Sequence, residues 1–168
     1  MIRLAVADDS HQIARVHVKS WQHIYRGLLP DDYLDSLDES ERAELWSQNI
    51  ARAIGTTGIY EKDGRIVGFI HLCPCRDVGS PSSTGEVAAI YVDPDSWRRG
   101  IGSALMHWAV ERAKRYGWVN LVLYVLDSNQ QARAFYESRG WHNDGAQKED
   151  EIGGQKVAEI RYRKRLDA

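Results

Sequence analysis

The chain has 168 residues and a formal net charge of −2, because its 22 lysine and arginine residues nearly balance its 24 aspartate and glutamate residues. This balance excludes the overall basic field of a protein that binds nucleic acid or a membrane surface, and no stretch reaches the roughly 18 apolar residues of a membrane span. The length and the 43% of hydrophobic residues predict a single cytoplasmic domain, residues 1–168, with a core of its own.

The first half of the chain predicts a strand, two helices and a β-hairpin. The segment "IRLAV" is strand-like, and Asp8 or Asp9 is expected to cap a helix that ends near Gly27. After a short helical or turn segment, Asp38 and Glu41 have the spacing of a capping box at the start of a second long helix. Two β-rich runs, "GIYEK" and "RIVGFIHLC", then flank an Asp-Gly dipeptide, which favours a two-residue hairpin turn.

The second half predicts strands that alternate with helices. The run "EVAAIYV" is a strand, and an apolar stripe predicts a helix from Gly100 to Tyr116. The segment "VNLVLYVL" predicts a strand covered on both faces, followed by a helix over 129–139. A last strand is expected over 156–166. This order predicts an α/β fold, a mixed, α+β-like sheet flanked by helices.

The stretch "WRRGIGSAL" places charge and glycine at the start of the helix that begins near residue 100. A helix start leaves N–H groups without partners and carries a partial positive charge, so it attracts anions. Arg98 and Arg99 add cations, which makes a phosphate or pyrophosphate the best-matched ligand. The P-loop pattern and the third glycine of a dinucleotide fingerprint are both missing. On this motif alone, a tight turn with solvated arginines is an equal interpretation.

Three segments, "EVAAIYVDP", "WRRGIGSALM" and "VLDSNQQARAFYESRGW", resemble the GNAT superfamily of acyl-CoA-dependent N-acetyltransferases. The second is similar to its [QR]-x-x-G-x-[GA] pyrophosphate loop, and the third to its N-x-x-A-x-x-F-Y-x-x-x-G-[FW] segment. With the order of the elements, the resemblance extends from Ile2 to Leu166 and implies the GNAT fold. One position departs from the pattern, because Trp97 stands where glutamine or arginine is usual.

The resemblance implies that the chain uses acetyl-CoA as cosubstrate. Main-chain groups of the strand would pair with the pantetheine arm, and the loop and first helical turn would hold the pyrophosphate. The expected cofactor-binding residues are Ile90, Tyr91, Val92, Arg98, Arg99, Gly100, Ile101, Gly102, Ser103 and Asn129. Tyr136 would lie near the sulfur, and Glu86 occupies a position that some members use for a general base.

The chemistry of acetyl transfer explains why such groups are needed. An alkyl amine has a pKa near ~10.4, so a base must take its proton before it can attack a carbonyl. Glu86 is the candidate base, and the N–H of Val92 would stabilise the oxyanion as in the superfamily. Tyr136 would protonate the departing thiolate. The alternatives are a solvated carboxylate for Glu86 and packing beside Phe135 for Tyr136.

The acceptor side is less well defined by the sequence. The first helices and their loop supply three candidate wall residues, Trp21, Tyr25 and Tyr33, although aromatic residues at helical spacing also fill cores. The nearby acidic cluster, residues 31–38, favours a solvated face over a site for a cationic amine.

A metal site is not expected. His71, Cys73 and Cys75 alternate and would share a strand face, but Pro74 interrupts the strand and a fourth ligand is missing. Buried small residues explain the pattern better, and the cysteine spacing suits a reducing compartment rather than a disulfide framework.

These observations lead to one hypothesis with two alternatives. The hypothesis is an acetyltransferase that acts on the primary amine of a small molecule by direct attack. The alternatives are an enzyme that acetylates a protein N-terminus or lysine, and a catalytically silent acyl-CoA-binding module. The resemblance also leaves a homodimer open, with the last strand as an element that two copies would exchange.

Overall fold

A computed structural model describes residues 1–167, which form one sheet with helices on both faces. The strands are β1 (Ile2–Leu4), β2 (Thr56–Lys62), β3 (Arg65–Pro74), β4 (Thr84–Val92), β5 (Asn120–Leu126), β6 (His142–Ile152) and β7 (Gln155–Arg165). The helices are α1 (Ser10–Ile24), α2 (Asp31–Asp35), α3 (Glu39–Ala51), α4 (Ile101–Arg115) and α5 (Gln130–Glu137). Over this range, no helix has both the length and the hydropathy needed to cross a bilayer.

The sheet has the order β1-β2-β3-β4-β5-β7-β6. Neighbouring strands are antiparallel except for β4 and β5, which run parallel and are joined by the crossover helix α4. Asp63 and Gly64 have φ angles of 51° and 73°, so the turn between β2 and β3 has the left-handed backbone that the Asp-Gly dipeptide predicts.

Helices cover the sheet on two sides. On one face, α1 and α3 pack around Ile13, Trp46 and Phe69. On the other, α4 and α5 pack around Leu105 and Tyr162. The predicted mixed α/β sheet flanked by helices is therefore confirmed.

Two local features differ from the sequence prediction. β6 was not predicted, because nearly all of its side chains are exposed on both faces and it lacks an apolar alternation.

Asp9 does not cap α1 with its side chain. Its carboxylate instead accepts a hydrogen bond from the Val6 N–H at 2.8 Å and pairs with the Arg3 guanidinium at 2.8 Å. The predicted cap at Asp38 is confirmed, since it accepts from the Glu41 N–H at 3.0 Å.

Candidate active site

The parallel strands β4 and β5 separate partway along their length. They pair only through Thr84–Glu86 and Asn120–Val122, although β4 stays paired with β3, and β5 with β7, to their last residues. A register shift against β3 leaves Ala88 as an extra residue, and bulges of this kind bend the strand that carries them. Beyond Glu86, β4 therefore borders an opening in the middle of the sheet.

The backbone of β4 presents hydrogen-bonding groups to this opening. The N–H of Asp93 donates to the Val67 carbonyl of β3 at 2.8 Å. Because successive residues of a strand point their backbone groups to opposite sides, the N–H groups of Val92 and Ile90 point away from β3. They are free to pair with an extended ligand that enters between the strands.

Trp97 helps to fix the end of β4. Its indole Nε1 donates to the Val92 carbonyl at 2.8 Å, and Ser20 Oγ on α1 donates to the same oxygen at 3.1 Å. The indole also makes an edge contact with His23, with ring centroids 4.9 Å apart. The residue that departs from the expected motif therefore connects the loop to the strand.

A cavity of about 320 Å³ lies between the end of β4, the start of α4 and α5. All but one of the residues that the sequence predicts for the cofactor line it: Ile90, Tyr91, Val92, Arg98, Gly100, Ile101, Gly102, Ser103 and Asn129. The exception is Arg99, which is exposed and lies off this wall.

The loop before α4 has the backbone shape of an anion site. Arg98 and Gly100 have φ angles of 61° and 78°, and α4 starts directly after them, so its first N–H groups face the cavity mouth without helical partners. At Gly102 an added Cβ would lie 3.3 Å from the Phe135 ring, so glycine allows α4 and α5 to pack closely.

Sequence reasoning missed Arg139, which adds a second cation to this cavity. Its Nε donates to Ser103 Oγ at 3.2 Å, and its guanidinium carbon lies 3.9 Å from the centre of the Phe135 ring. These contacts hold the charge beside the first turn of α4. The available signal was a cation four residues after the phenylalanine of the third motif.

A second cavity, of about 220 Å³, shares part of its wall with the first. The residues common to both are Ile24, Ile90, Tyr91, Asn129, Ala132 and Tyr136. Asn129 is the N-cap of α5, since its Oδ1 accepts from the Ala132 N–H at 3.2 Å. The two cavities therefore meet at the start of α5.

Tyr136 lies where the cavities meet. Its side chain is buried, and burial raises the pKa of its hydroxyl above the ordinary value for tyrosine. Among residues 1–167, none forms a hydrogen bond with this hydroxyl within 3.5 Å. The group is therefore a protonated phenol whose donor is available to a ligand.

The predicted acceptor-wall residues separate into two groups. Trp21 and Tyr25 line the second cavity, and their rings contact each other with centroids 4.8 Å apart. The Trp21 Nε1 is buried and has no partner within the described chain. Tyr33 lines neither cavity, because it packs against Gly153 in the turn between β6 and β7.

Glu86 also lines the second cavity, and its carboxylate is bound to Arg76. The Arg76 main-chain N–H donates to Oε1 at 3.0 Å, and its Nε donates to Oε2 at 3.1 Å. A terminal guanidinium nitrogen of Arg76 makes a further contact with Oε2. Three charged residues on this wall, Arg76, Lys148 and Glu159, were not predicted from the sequence.

The histidine and cysteines of β3 lie elsewhere. The buried His71 Nδ1 is 2.8 Å from Thr57 Oγ1, Cys73 is buried, and Cys75 lies beyond the end of β3. Within the described residues, no three His, Cys, Asp or Glu side chains are grouped as they would be to bind a metal ion.

Comparisons with known proteins agree with this geometry. The Acetyltransferase (GNAT) family model matches residues 18–141. The chain is 30% identical over 128 residues to the uncharacterized N-acetyltransferase YuaI of Bacillus subtilis, which covers 76% of this chain and 72% of that protein. It is 25% identical over 166 residues to the spermidine N(1)-acetyltransferase of Thermoplasma acidophilum, covering 96% of each.

The fold is similar to that of the PaiA N-acetyltransferase of Thermoplasma acidophilum, whose crystal structure is a complex with coenzyme A. The TM-score is 0.81 and the sequence identity 21%, over 98% of both chains. The family match and the relatives confirm the resemblance carried by the three motifs, and this chain belongs to the GNAT family of N-acetyltransferases.

Proposed function

We propose that the protein transfers the acetyl group of acetyl-CoA to the primary amine of a small molecule, by direct attack within a ternary complex. One observation carries this proposal: Tyr136 lies on the walls of both cavities, so a donor and an acceptor can reach the same hydroxyl from two sides. The related structure that contains coenzyme A supports the choice of donor.

The first cavity suits the donor. The unpaired N–H groups of Ile90 and Val92 would bind the amide-rich pantetheine arm as a strand partner. The first turn of α4, with the guanidinium groups of Arg98 and Arg139, would bind the pyrophosphate. Asn129 has its Oδ1 in the helix cap, which leaves its amide N–H groups for the cofactor arm.

The transfer requires three proton movements, because the acceptor nitrogen loses two protons and the departing thiolate gains one. Glu86 would take a proton from the acceptor ammonium, and the amine nitrogen would then attack the thioester carbonyl carbon. The Val92 N–H would stabilise the oxyanion as it forms. When the C–S bond breaks, Tyr136 would give its proton to the thiolate, a role that suits a phenol kept protonated by burial. The second proton of the acceptor nitrogen would then return to the Tyr136 oxygen, which leaves a neutral amide and restores the phenol.

The second cavity favours a small acceptor because the β6–β7 hairpin forms part of its wall. Lys148 and Ile152 of β6 lie on its wall. The hairpin is fastened to the loop after α1, since Gln155 Nε2 donates to the Leu28 carbonyl at 3.0 Å. A folded protein surface would have to displace this hairpin, whereas a small amine would not.

Thiol release from acetyl-CoA tests the proposal, measured with amino acids, polyamines, aminoglycosides and lysine-containing peptides. We expect release with one class of small amine, and loss of release in Tyr136→Phe and Glu86→Gln. Release with peptides alone would support the protein-acetylating alternative. Absence of release with every amine, while acetyl-CoA still raises the melting temperature, would support a silent acyl-CoA-binding module.

A further inference from the structure

The second cavity contains one carboxylate that is only weakly paired. Glu159 of β7 lies on its wall with a side chain that is 15% exposed. The nearest cation is Lys148 Nζ, 3.7 Å away, which is beyond hydrogen-bond distance. Among residues 1–167, no group makes a hydrogen bond of 3.5 Å or less with the Glu159 carboxylate. Burial raises its pKa, and the neighbouring Asp150 carboxylate acts in the same direction. A mostly buried carboxylate in this state is well suited to bind a cation from the cavity.

Glu86, on the same wall, differs from Glu159 in how its carboxylate is hydrogen-bonded. Its side chain is buried more deeply, at 4% exposed, but Arg76 donates to both of its oxygens. Two carboxylates therefore line one cavity. The hydrogen-bonding capacity of Glu86 is largely used within the protein, and that of Glu159 is not.

Lys148 is also positioned for a ligand. Its ammonium lies 4.0 Å from the centre of the Tyr124 ring, and the Tyr124 hydroxyl is fixed by a 2.8 Å hydrogen bond to Asp77. A cation over an aromatic face keeps its N–H groups free for an anion. The cavity wall thus presents a cross-strand ion pair between Lys148 and Glu159, 3.7 Å apart, whose two members make no hydrogen bond to each other.

The charges of the wall are balanced, with two cations and two carboxylates: Arg76, Lys148, Glu86 and Glu159. A polyamine would bring only positive charge and would leave Lys148 facing a second cation. An acceptor with both an ammonium and an anionic group would bind Glu159 and Lys148 together and keep the balance.

We infer that the acceptor is an amino-acid-like zwitterion, a small primary amine that also carries an anionic group. Its ammonium binds Glu159 through one N–H group and keeps others for transfer to Glu86, and its anionic group binds Lys148. Glu159 stands opposite Leu126 at the end of β5, where β5 no longer pairs with β4, so the bound amine lies beside the opening. This inference rests on the proposed function and specifies its acceptor.

The experiment compares amino acids with amines that lack only the carboxylate. The pairs are leucine with isoamylamine, phenylalanine with phenethylamine, and methionine with 3-(methylthio)propylamine, with spermidine as the polycationic probe. Thiol release gives kcat/KM for each compound with the wild-type enzyme, Lys148→Gln, Lys148→Arg and Glu159→Gln. Melting temperatures with and without acetyl-CoA show that each variant is folded and binds the donor.

We expect at least one amino acid to exceed its decarboxylated partner about tenfold or more in kcat/KM, the loss expected when a charged hydrogen bond is removed. Lys148→Gln should abolish this preference by lowering kcat/KM for the amino acid alone, and Lys148→Arg should restore most of it. Glu159→Gln should lower kcat/KM for both members of the pair.

Equal or faster reaction of the decarboxylated amines or of spermidine would overturn the inference and leave the proposed function standing. An equal effect of Lys148→Gln on both members of a pair would overturn it as well. Absence of thiol release with every compound, in a protein that binds acetyl-CoA, would overturn the proposed function and this inference with it.

Discussion

The two cavities that meet at Tyr136 are built in different ways. The first is formed by the unpaired edge of β4 and the N-terminus of α4, near residues 90–103, and by α5, near residues 129–139. The second is formed by residues of α1, the loop after β3, β4, β5, α5, β6 and β7, and so draws on more separate parts of the sequence. Under the proposed function, the first cavity would bind the donor with two features of the fold, a strand edge and a helix start, and the second would select the acceptor through individual side chains.

The largest expected effect is at the residue that both cavities share. Tyr136→Phe should lower kcat about 100-fold or more, the usual contribution of a general acid, and leave the affinity for acetyl-CoA within about twofold. Steady-state kinetics and calorimetric titration measure the two quantities. Tyr116→Phe, which removes an exposed hydroxyl bonded to Thr56, is the matched control and should leave kcat unchanged. An equal loss of donor affinity in Tyr136→Phe would assign this residue to binding.

In the first cavity, Arg98 and Arg139 should contribute more to acetyl-CoA binding than Arg99, which lies outside it. Arg139→Ala and Arg98→Ala should each raise the KM for acetyl-CoA about tenfold, because each removes a charged hydrogen bond to phosphate. Arg99→Ala should change it little. With S-acetylpantetheine, which has no pyrophosphate, all three variants should resemble the wild type. A rise in KM with this truncated donor would show that Arg139 supports packing on Phe135 instead.

A smaller effect, on stability, is expected at Trp97, where the loop before α4 contacts the end of β4. Trp97→Phe keeps the ring but removes one of the two donors to the Val92 carbonyl, a loss of about 1 kcal/mol. For a domain of this size, the melting temperature should fall by about 2–4 °C. Ser20→Ala removes the other donor. Either donor alone can satisfy the Val92 carbonyl oxygen, so the double variant should lose more unfolding free energy than the two single variants together. Additive losses would contradict this explanation.

The smallest effect concerns a histidine that packs behind the second cavity, against Tyr91. His17 stacks on Tyr91, with ring centroids 5.2 Å apart, and burial lowers its pKa to about 3. In the unfolded chain its pKa is about 6.5, so the unfolded state takes up the proton first as the pH falls. The stability contributed by neutral His17 is complete above pH 6.5 and decreases as the pH drops toward 3.

Between pH 7 and 6, this linkage amounts to about 0.7 kcal/mol of unfolding free energy. Urea unfolding at the two pH values measures it, and His17→Gln, which cannot titrate, should show a correspondingly smaller change. The same pH dependence in wild type and variant would exclude His17 as its source.

Most residues predicted for the cofactor line the first cavity because their sequence signal is local. Glycines, arginines and a helix start within a few residues of one another define an anion site, and Ile90 and Val92 lie in a recognisable strand. Arg139 was missed because its contact with Ser103 joins two helices that are distant in sequence. Residue type alone does not separate Arg139 from Arg99, which lies outside the cavity.

The wall of the second cavity could not be predicted from the sequence in the same way. β6 supplies Lys148 but has no apolar alternation, so neither the strand nor the position of this lysine was predictable. Tyr33 and Tyr25 are both aromatic residues near the first helices and could not be distinguished by sequence. Tyr33 packs against Gly153 in the β6–β7 turn. For Glu86, sequence position identified the carboxylate but not Arg76, which pairs with it from the loop after β3.

The alternating backbone at the end of β4 also has a dynamic consequence. The N–H groups of Tyr91 and Asp93 are bonded to β3, whereas those of Ile90 and Val92 face the opening. Amide hydrogen exchange should therefore be slow at the first pair and fast at the second in the free protein. Occupation of the opening by a pantetheine arm should slow exchange at Ile90 and Val92 alone. This part of the sheet would then become a complete strand ladder only when the ligand is bound.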